Sequence, residues 1–147
     1  MNLHEQLNLA IRVATDFHSQ QVDKAGQPYI LHPLWVMNDV KTLKGKIVAV
    51  LHDVIEDTDI TIEDLIFQGF DEDIIEAIDI LTKKKGQKYT DYIHLVGTNK
   101  LAREVKISDL KHNMDLNRLK DVTDKDRERC VKYKNAHDYL IHVHYYK

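Results

Sequence analysis

The sequence predicts an all-α fold in a single compact domain, and three observations carry the helical prediction. Apolar residues recur at helical spacing along nearly the whole chain, and no convincing two-residue alternation marks a strand. Only five glycines and two prolines interrupt 147 residues, with no low-complexity linker and no internal repeat. Hydrophobic residues make up 43% of the chain, enough for one core in a chain of about one domain's length. Some seven or eight helices account for the pattern over residues 1–147.

The first helix shows one apolar stripe, Leu3, Leu7, Ala10, Ala14 and Phe17, and ends near Gln21, ahead of the loop Asp23-Lys24-Ala25-Gly26-Gln27-Pro28. Pro33 suits the first turn of a second helix, which runs to about Val40 and is broken at Lys44-Gly45. A third helix, roughly Lys46 to Val54, is apolar almost all round, which reads as a buried helix. Thr61-Ile62-Glu63-Asp64 forms a capping box with Asp in place of Glu, and the helix it opens ends near Gly69. Asp71-Glu72-Asp73 places negative charge at the start of the next helix, whose inner face is Ile74, Ile78 and Leu81. Lys83-Lys84-Lys85-Gly86 closes it. Tyr89 to Val96 and Leu101 to Met114 form two more helices, and Thr123 caps a last one from about Asp124 to Ile141. Trp35 and Phe17 read as core.

Charge and composition exclude several classes. A net charge of −3 argues against general nucleic-acid binding, which needs a broad basic surface, but not against a small anionic ligand. No apolar run approaches the roughly 18 residues of a membrane span, and the N-terminus lacks the pattern of a signal peptide. A single cysteine, Cys130, forms no internal disulfide, so the expected compartment is the cytoplasm. A homo-oligomer is compatible with the composition. Three of the nine histidines, His137, His142 and His144, lie near the C-terminus, and an amphipathic helix end is preferred there to a metal-binding tail.

The chemistry concentrates in His52-Asp53-Val54-Ile55-Glu56-Asp57, with His32 upstream and Asp109 downstream. A His-Asp doublet alone is usually an ordinary surface pair. Here it follows the apolar run Ile47 to Leu51, and four ionisable residues in six at the edge of a buried helix are costly unless paired or ligated. His52 and Asp53 could give a divalent cation two donors, with His32 and Asp109 arriving from other helices. Mixed histidine and carboxylate donors suit Mn²⁺, Fe²⁺, Co²⁺, Ni²⁺ or Zn²⁺, and the lack of cysteine partners disfavours a structural zinc site. Residues three and four apart share a helix face. Glu56 and Asp57 therefore fall one turn from the doublet, where a carboxylate could take a proton from water.

Four blocks resemble the HD superfamily of metal-dependent phosphohydrolases, in particular the hydrolase half of RelA/SpoT alarmone enzymes and the small alarmone hydrolases. They are His18-Ser19-Gln20-Gln21, Gly26 to Pro33, Leu51 to Thr58 and Val105 to Met114, in the family's order. The resemblance implies metal ligands at His32, His52, Asp53 and Asp109, Mn²⁺ as the metal, and Glu56 and Asp57 as the residues that orient or deprotonate the attacking water. It implies a nucleotide substrate, (p)ppGpp, losing its 3′-pyrophosphate. At this length no synthetase activity is expected.

Ala102, Lys106, Asp109 and Asn113 share one helical face. The resemblance makes Asn113 a ribose or phosphate contact. Lys106 and Arg118 read either as phosphate contacts or as solvated cations. Lys24 lies where the family has an Arg-Lys pair, which here reads Asp23-Lys24. Arginine stacks on bases and forks onto phosphate, and aspartate does neither. Asp23 therefore favours a second reading, an HD hydrolase of another nucleotide or phosphoester. A third is a noncatalytic nucleotide-binding module, against which the Glu56–Asp57 pair argues. Lys83-Lys84-Lys85 reads as a helix-end charge run before a phosphate patch. Tyr89 and Tyr92 read as core before base-stacking residues. His18 reads as structural, and His94 and His112 have no assigned role.

Overall fold

The computed structural model describes residues 1–146, and the architecture is helical. It comprises α1 (Leu3–Phe17), α2 (Leu31–Asp39), α3 (Leu43–Leu51), α4 (Val54–Asp57), α5 (Ile62–Gln68), α6 (Glu72–Leu81), α7 (Tyr89–Gly97), α8 (Lys100–Asn113) and α9 (Asp124–Tyr146), with a 3-10 turn at Leu116–Arg118. The single-turn α4 aside, these are the seven or eight helices expected. Among the described residues the sole β contact is an isolated bridge between Val22 and Pro28.

Local chemistry sets most of the boundaries. Asn2 caps α1 by accepting from the Glu5 N–H at 2.9 Å while Glu5 accepts from the Asn2 N–H. Phe17, expected in the core, is 46% exposed, because α1 ends there and the next residue, His18, takes the buried position. The Thr61–Asp64 box opens α5, and Gly69 closes it with a φ of +95°, a conformation that costs glycine least. Helix α6 stops at Leu81, so Lys83–Lys85 lie in the loop beyond it; Lys84 still reaches the helix end, donating to the Asp79 and Thr82 carbonyls. At the start of α9 the Thr123 N–H donates to Asp126 Oδ2 and the Asp126 N–H to Thr123 Oγ1, and the helix runs past Ile141 to Tyr146. Leu140 and Val143 are buried on that last stretch.

Helix α3 is the hub. Ile47, Val48, Ala49, Val50 and Leu51 are fully buried, and the helix packs against α1, α2, α6 and α8. That surround explains its apolar pattern on every face. Gly45, expected to break a helix, lies inside its first turn. The Thr42 hydroxyl caps α3 by accepting from the Gly45 N–H at 3.0 Å, and a Cβ on Gly45 would meet Thr42 Oγ1 at 2.8 Å and Glu104 Oε1 at 3.0 Å. The helix therefore begins and ends three residues earlier than expected. His52 and Asp53 form a turn beyond its end, and α4 follows as a separate turn. Two i,i+4 bonds survive there, Asp57 N–H to Asp53 O and Thr58 N–H to Val54 O. Asp53 and Asp57 thus keep a common face.

Candidate metal centre and its cavity

Three separate elements deliver four potential ligands to one place. His32 stands in the first turn of α2, where Pro33 fixes the backbone. His52 and Asp53 project from the turn after α3, and Asp109 from the inner face of α8. One ligand atom from each lies within 4.8 Å of every other. His32 Nε2 is 2.7 Å from Asp109 Oδ1, and His52 Nε2 is 3.1 Å from both Asp109 Oδ1 and Asp53 Oδ2. His32, His52 and Asp109 are buried, and Asp53 is nearly so.

The hydrogen bonds around these groups fit a bound cation. The His52 Nδ1–H donates to the Ala49 carbonyl, which turns Nε2 toward two carboxylate oxygens, where it keeps a proton in the metal-free protein and would offer its lone pair to a bound cation. A positive charge is needed between them. His32 Nδ1 lies 2.8 Å from Nδ1 of His112. Burial and the Arg118 charge push His112 down to about 4, so its ring is neutral and its Nδ1 can accept from His32 Nδ1–H, the tautomer that frees His32 Nε2 for a cation. The second oxygen of Asp109 accepts from Lys106 Nζ at 2.8 Å, and Asn113 Nδ2 donates to Oδ1 at 3.2 Å. Tyr29 donates to Asp53 Oδ2 at 2.6 Å. Burial opposes the charge on Lys106, but the Asp109 carboxylate outweighs it and holds the ammonium well above its ordinary range. Two imidazoles and two carboxylates of this disposition could hold one divalent metal.

Glu56 and Asp57 stand on α4, each partly exposed. Burial of their carboxyls and the Asp53 charge raise both above the ordinary carboxylate range. Glu56 Oε1 accepts from the Lys83 N–H at 2.6 Å, which works in the other direction and fixes the side chain against the loop after α6. The Asp57 carbonyl accepts from Gln21 Nε2.

A cavity of about 330 Å³ opens beside His32. Lys24, Asn113 and Arg118, named from the sequence, all line it, whereas Lys106 is engaged with Asp109. Lys24 reaches Asp126 at 3.5 Å, and Arg118 donates to the His112 carbonyl and lies 3.8 Å from Asp23. Asp23 is a loop residue in function: its Oδ1 accepts from the Ala25 and Gln27 N–H groups, both at 2.9 Å. The sequence reading missed Arg129 and Tyr133, which line the cavity from α9 and whose i,i+4 spacing puts them on one face. It also missed His112. Position i+3 from Asp109 marks it as a neighbour, but its role depends on Trp35, whose ring stacks on it at 4.2 Å. Tyr92 is core, as expected. Among the described residues this is the one His/Cys/Asp/Glu cluster of metal-binding geometry, and the C-terminal histidines are not in it. Lys147, the last residue of that stretch, lies outside the described residues.

A helical fold that gathers a His-Asp doublet, a second His and a distant Asp into one buried cluster defines an HD-type domain. Comparison with known proteins makes it more particular: the chain is similar to a segment of the RelA/SpoT proteins. It is 38% identical over 94 residues to the guanosine-3′,5′-bis(diphosphate) 3′-pyrophosphohydrolase of Vibrio cholerae, a match covering 59% of this chain and 13% of that protein. It is 31% identical over 121 residues to a probable GTP pyrophosphokinase of Mycobacterium leprae, covering 71% and 15%. The bifunctional (p)ppGpp synthase/hydrolase SpoT of Escherichia coli shares 35% identity over 91 residues, covering 59% and 13%. The chain thus spans only 13–15% of the length of these relatives. A solved structure of a metazoan SpoT ortholog, described as hydrolysing ppGpp and acting in starvation responses, shares the fold with a TM-score of 0.73 at 24% identity, over 92% of this chain and 85% of that one. No family model matches the chain. Among the described residues no helix is long and apolar enough to cross a membrane.

Proposed function

We propose that the chain is a metal-dependent hydrolase that removes the 3′-pyrophosphate of (p)ppGpp or a closely related nucleotide, with Mn²⁺ as the metal. The observation that carries this reading is the four-ligand cluster within 4.8 Å, set at the edge of a cavity lined by Lys24, Arg118 and Arg129. The names of the similar proteins support the substrate. Hydrolysis breaks the bond between the ribose 3′ oxygen and its phosphorus. Water supplies a hydroxyl to phosphorus and, in balance, a proton to the ribose oxygen. His32, His52, Asp53 and Asp109 would hold the cation, which when bound acidifies water and polarises a phosphoryl oxygen.

The chain's own residues do the rest. Of Glu56 and Asp57, one accepts the proton of the attacking water while the other orients it, and their raised affinity for protons makes either a stronger base than an ordinary carboxylate. Lys24, Arg118 and Arg129 offset the phosphate charge from the cavity wall. Asn113, one turn beyond Asp109, presents its amide to the ribose while steadying that ligand. Asp23 binds its own loop through Oδ1 but lines the cavity with Oδ2 turned toward Arg118, so a different phosphoester is the second reading that the nucleotide panel separates.

Parallel assays of pyrophosphate and phosphate release over a nucleotide panel with Mn²⁺ test the reading. The expected products from ppGpp are pyrophosphate and GDP, with turnover falling to background in Asp53→Ala. Strong monophosphatase activity with ppGpp untouched would overturn the substrate. Nucleotide binding without any turnover would overturn the enzyme.

A further inference from the structure

We propose that Gln21, oriented by the buried ring of His18, is a positioning residue that clamps the turn carrying Glu56 and Asp57. The inference rests on the hydrolase reading for its catalytic consequence, not for its geometry. Helix α4 has four residues and no side-chain cap at its start. So short a helix has few bonds of its own and needs outside partners for its terminal carbonyls. Gln21 supplies one, its Nε2 donating to the Asp57 carbonyl at 2.6 Å across 36 residues of sequence.

An amide side chain can turn over, so something must keep its nitrogen toward Asp57. His18 does so. Its Nδ1 lies 2.8 Å from Gln21 Oε1, which can only accept, so Nδ1 carries the proton. The ring is 1% exposed and its Nε2 has no partner. A buried polar atom left unpaired is a cost, and the ring's one polar contact is the bond to Gln21. The same residue also ties in the ligand side. The Gln21 carbonyl accepts from the Tyr29 N–H at 2.9 Å, and the Tyr29 hydroxyl holds Asp53. With Lys83 N–H on Glu56, the turn is gripped from both flanks.

The test compares Gln21→Ala, His18→Ala and His18→Asn, whose amide N–H falls near the place of Nδ1–H. Readouts are kcat and KM on ppGpp, the Kd for Mn²⁺, and hydrogen exchange of the Asp57 and Thr58 amides in metal-free protein. Both alanine variants should lower kcat by about 10- to 100-fold, the scale of a small misplacement of a reacting group. KM and the Mn²⁺ Kd should stay within about twofold, while exchange at the two amides accelerates. His18→Asn should restore both turnover and protection. Gln21→Glu, equal in size but without the donor, replaces the alanine variant if that fails to fold. Unchanged kcat and exchange, losses explained by KM or Mn²⁺ affinity, or a His18→Asn as impaired as His18→Ala would overturn the clamp. If the natural protein leaves ppGpp intact, the hydrolase reading fails and the exchange data alone decide the clamp.

Discussion

His52 is where proton and cation compete. Burial disfavours its charged form, but the carboxylates of Asp53 and Asp109 outweigh burial and hold it well above 6.5 in the metal-free protein. Its folded affinity for a proton exceeds the unfolded one. The pair therefore contributes stability that is complete below 6.5 and is lost as pH rises through the raised value. A metal needs the neutral imidazole, so its binding follows the opposite slope. The Kd for Mn²⁺ should fall by about tenfold per pH unit as pH rises from 6.5 toward the raised value, then level off. Calorimetric titration across that range checks it, and a flat profile would show that His52 is already neutral. At this scale the sequence was generous with chemistry. It named His32, His52, Asp53 and Asp109 by residue type and position, and the fold brings them together. It could not show Tyr29 on Asp53 or His112 on His32, because those contacts depend on how a loop and a ring from different helices are laid down.

The elements were legible wherever their stop and start signals are local. Thr61–Asp64, Gly69 and Thr123 mark helix ends by hydrogen bonds to residues three or four away. The limits of α3 were not, because Gly45 has two readings: a helix breaker in isolation, and a position without room for a side chain once Thr42 and Glu104 are in place. Replacing an exposed helical glycine with alanine ordinarily gains about 0.5–1 kcal/mol. At Gly45 the new methyl displaces the capping oxygen, and losing such a cap costs about 1–2 kcal/mol. Gly45→Ala should therefore lose about 1 kcal/mol, seen as a Tm lower by roughly 2–4 °C. A higher Tm would mean that Thr42 and Glu104 swing aside freely.

For the whole molecule, the cluster fastens α2, the turn after α3, and α8, with His32 and Asp109 77 positions apart in sequence. A ligand that binds only this arrangement stabilises all of it by mass action. At a free concentration of about one hundred times Kd, Mn²⁺ should add about 2.7 kcal/mol, or roughly 6–10 °C in Tm for a chain of this size. Scanning calorimetry with Mn²⁺ and then with a chelator measures the gain and its reversal. Asp53→Ala should show neither, and an equal rise in that variant would place the ion elsewhere.

The chain has one tryptophan, and it is Trp35. Its indole lies face to face with the His112 ring, 9° from parallel, and that ring is in turn bonded to His32. The emitting group of the protein is thus separated from the proposed ion by two residues, His112 and His32, with nothing else in the chain to obscure its signal at long excitation wavelengths. Occupancy of the centre by a paramagnetic ion can be followed as quenching of intrinsic fluorescence, in real time and without a label.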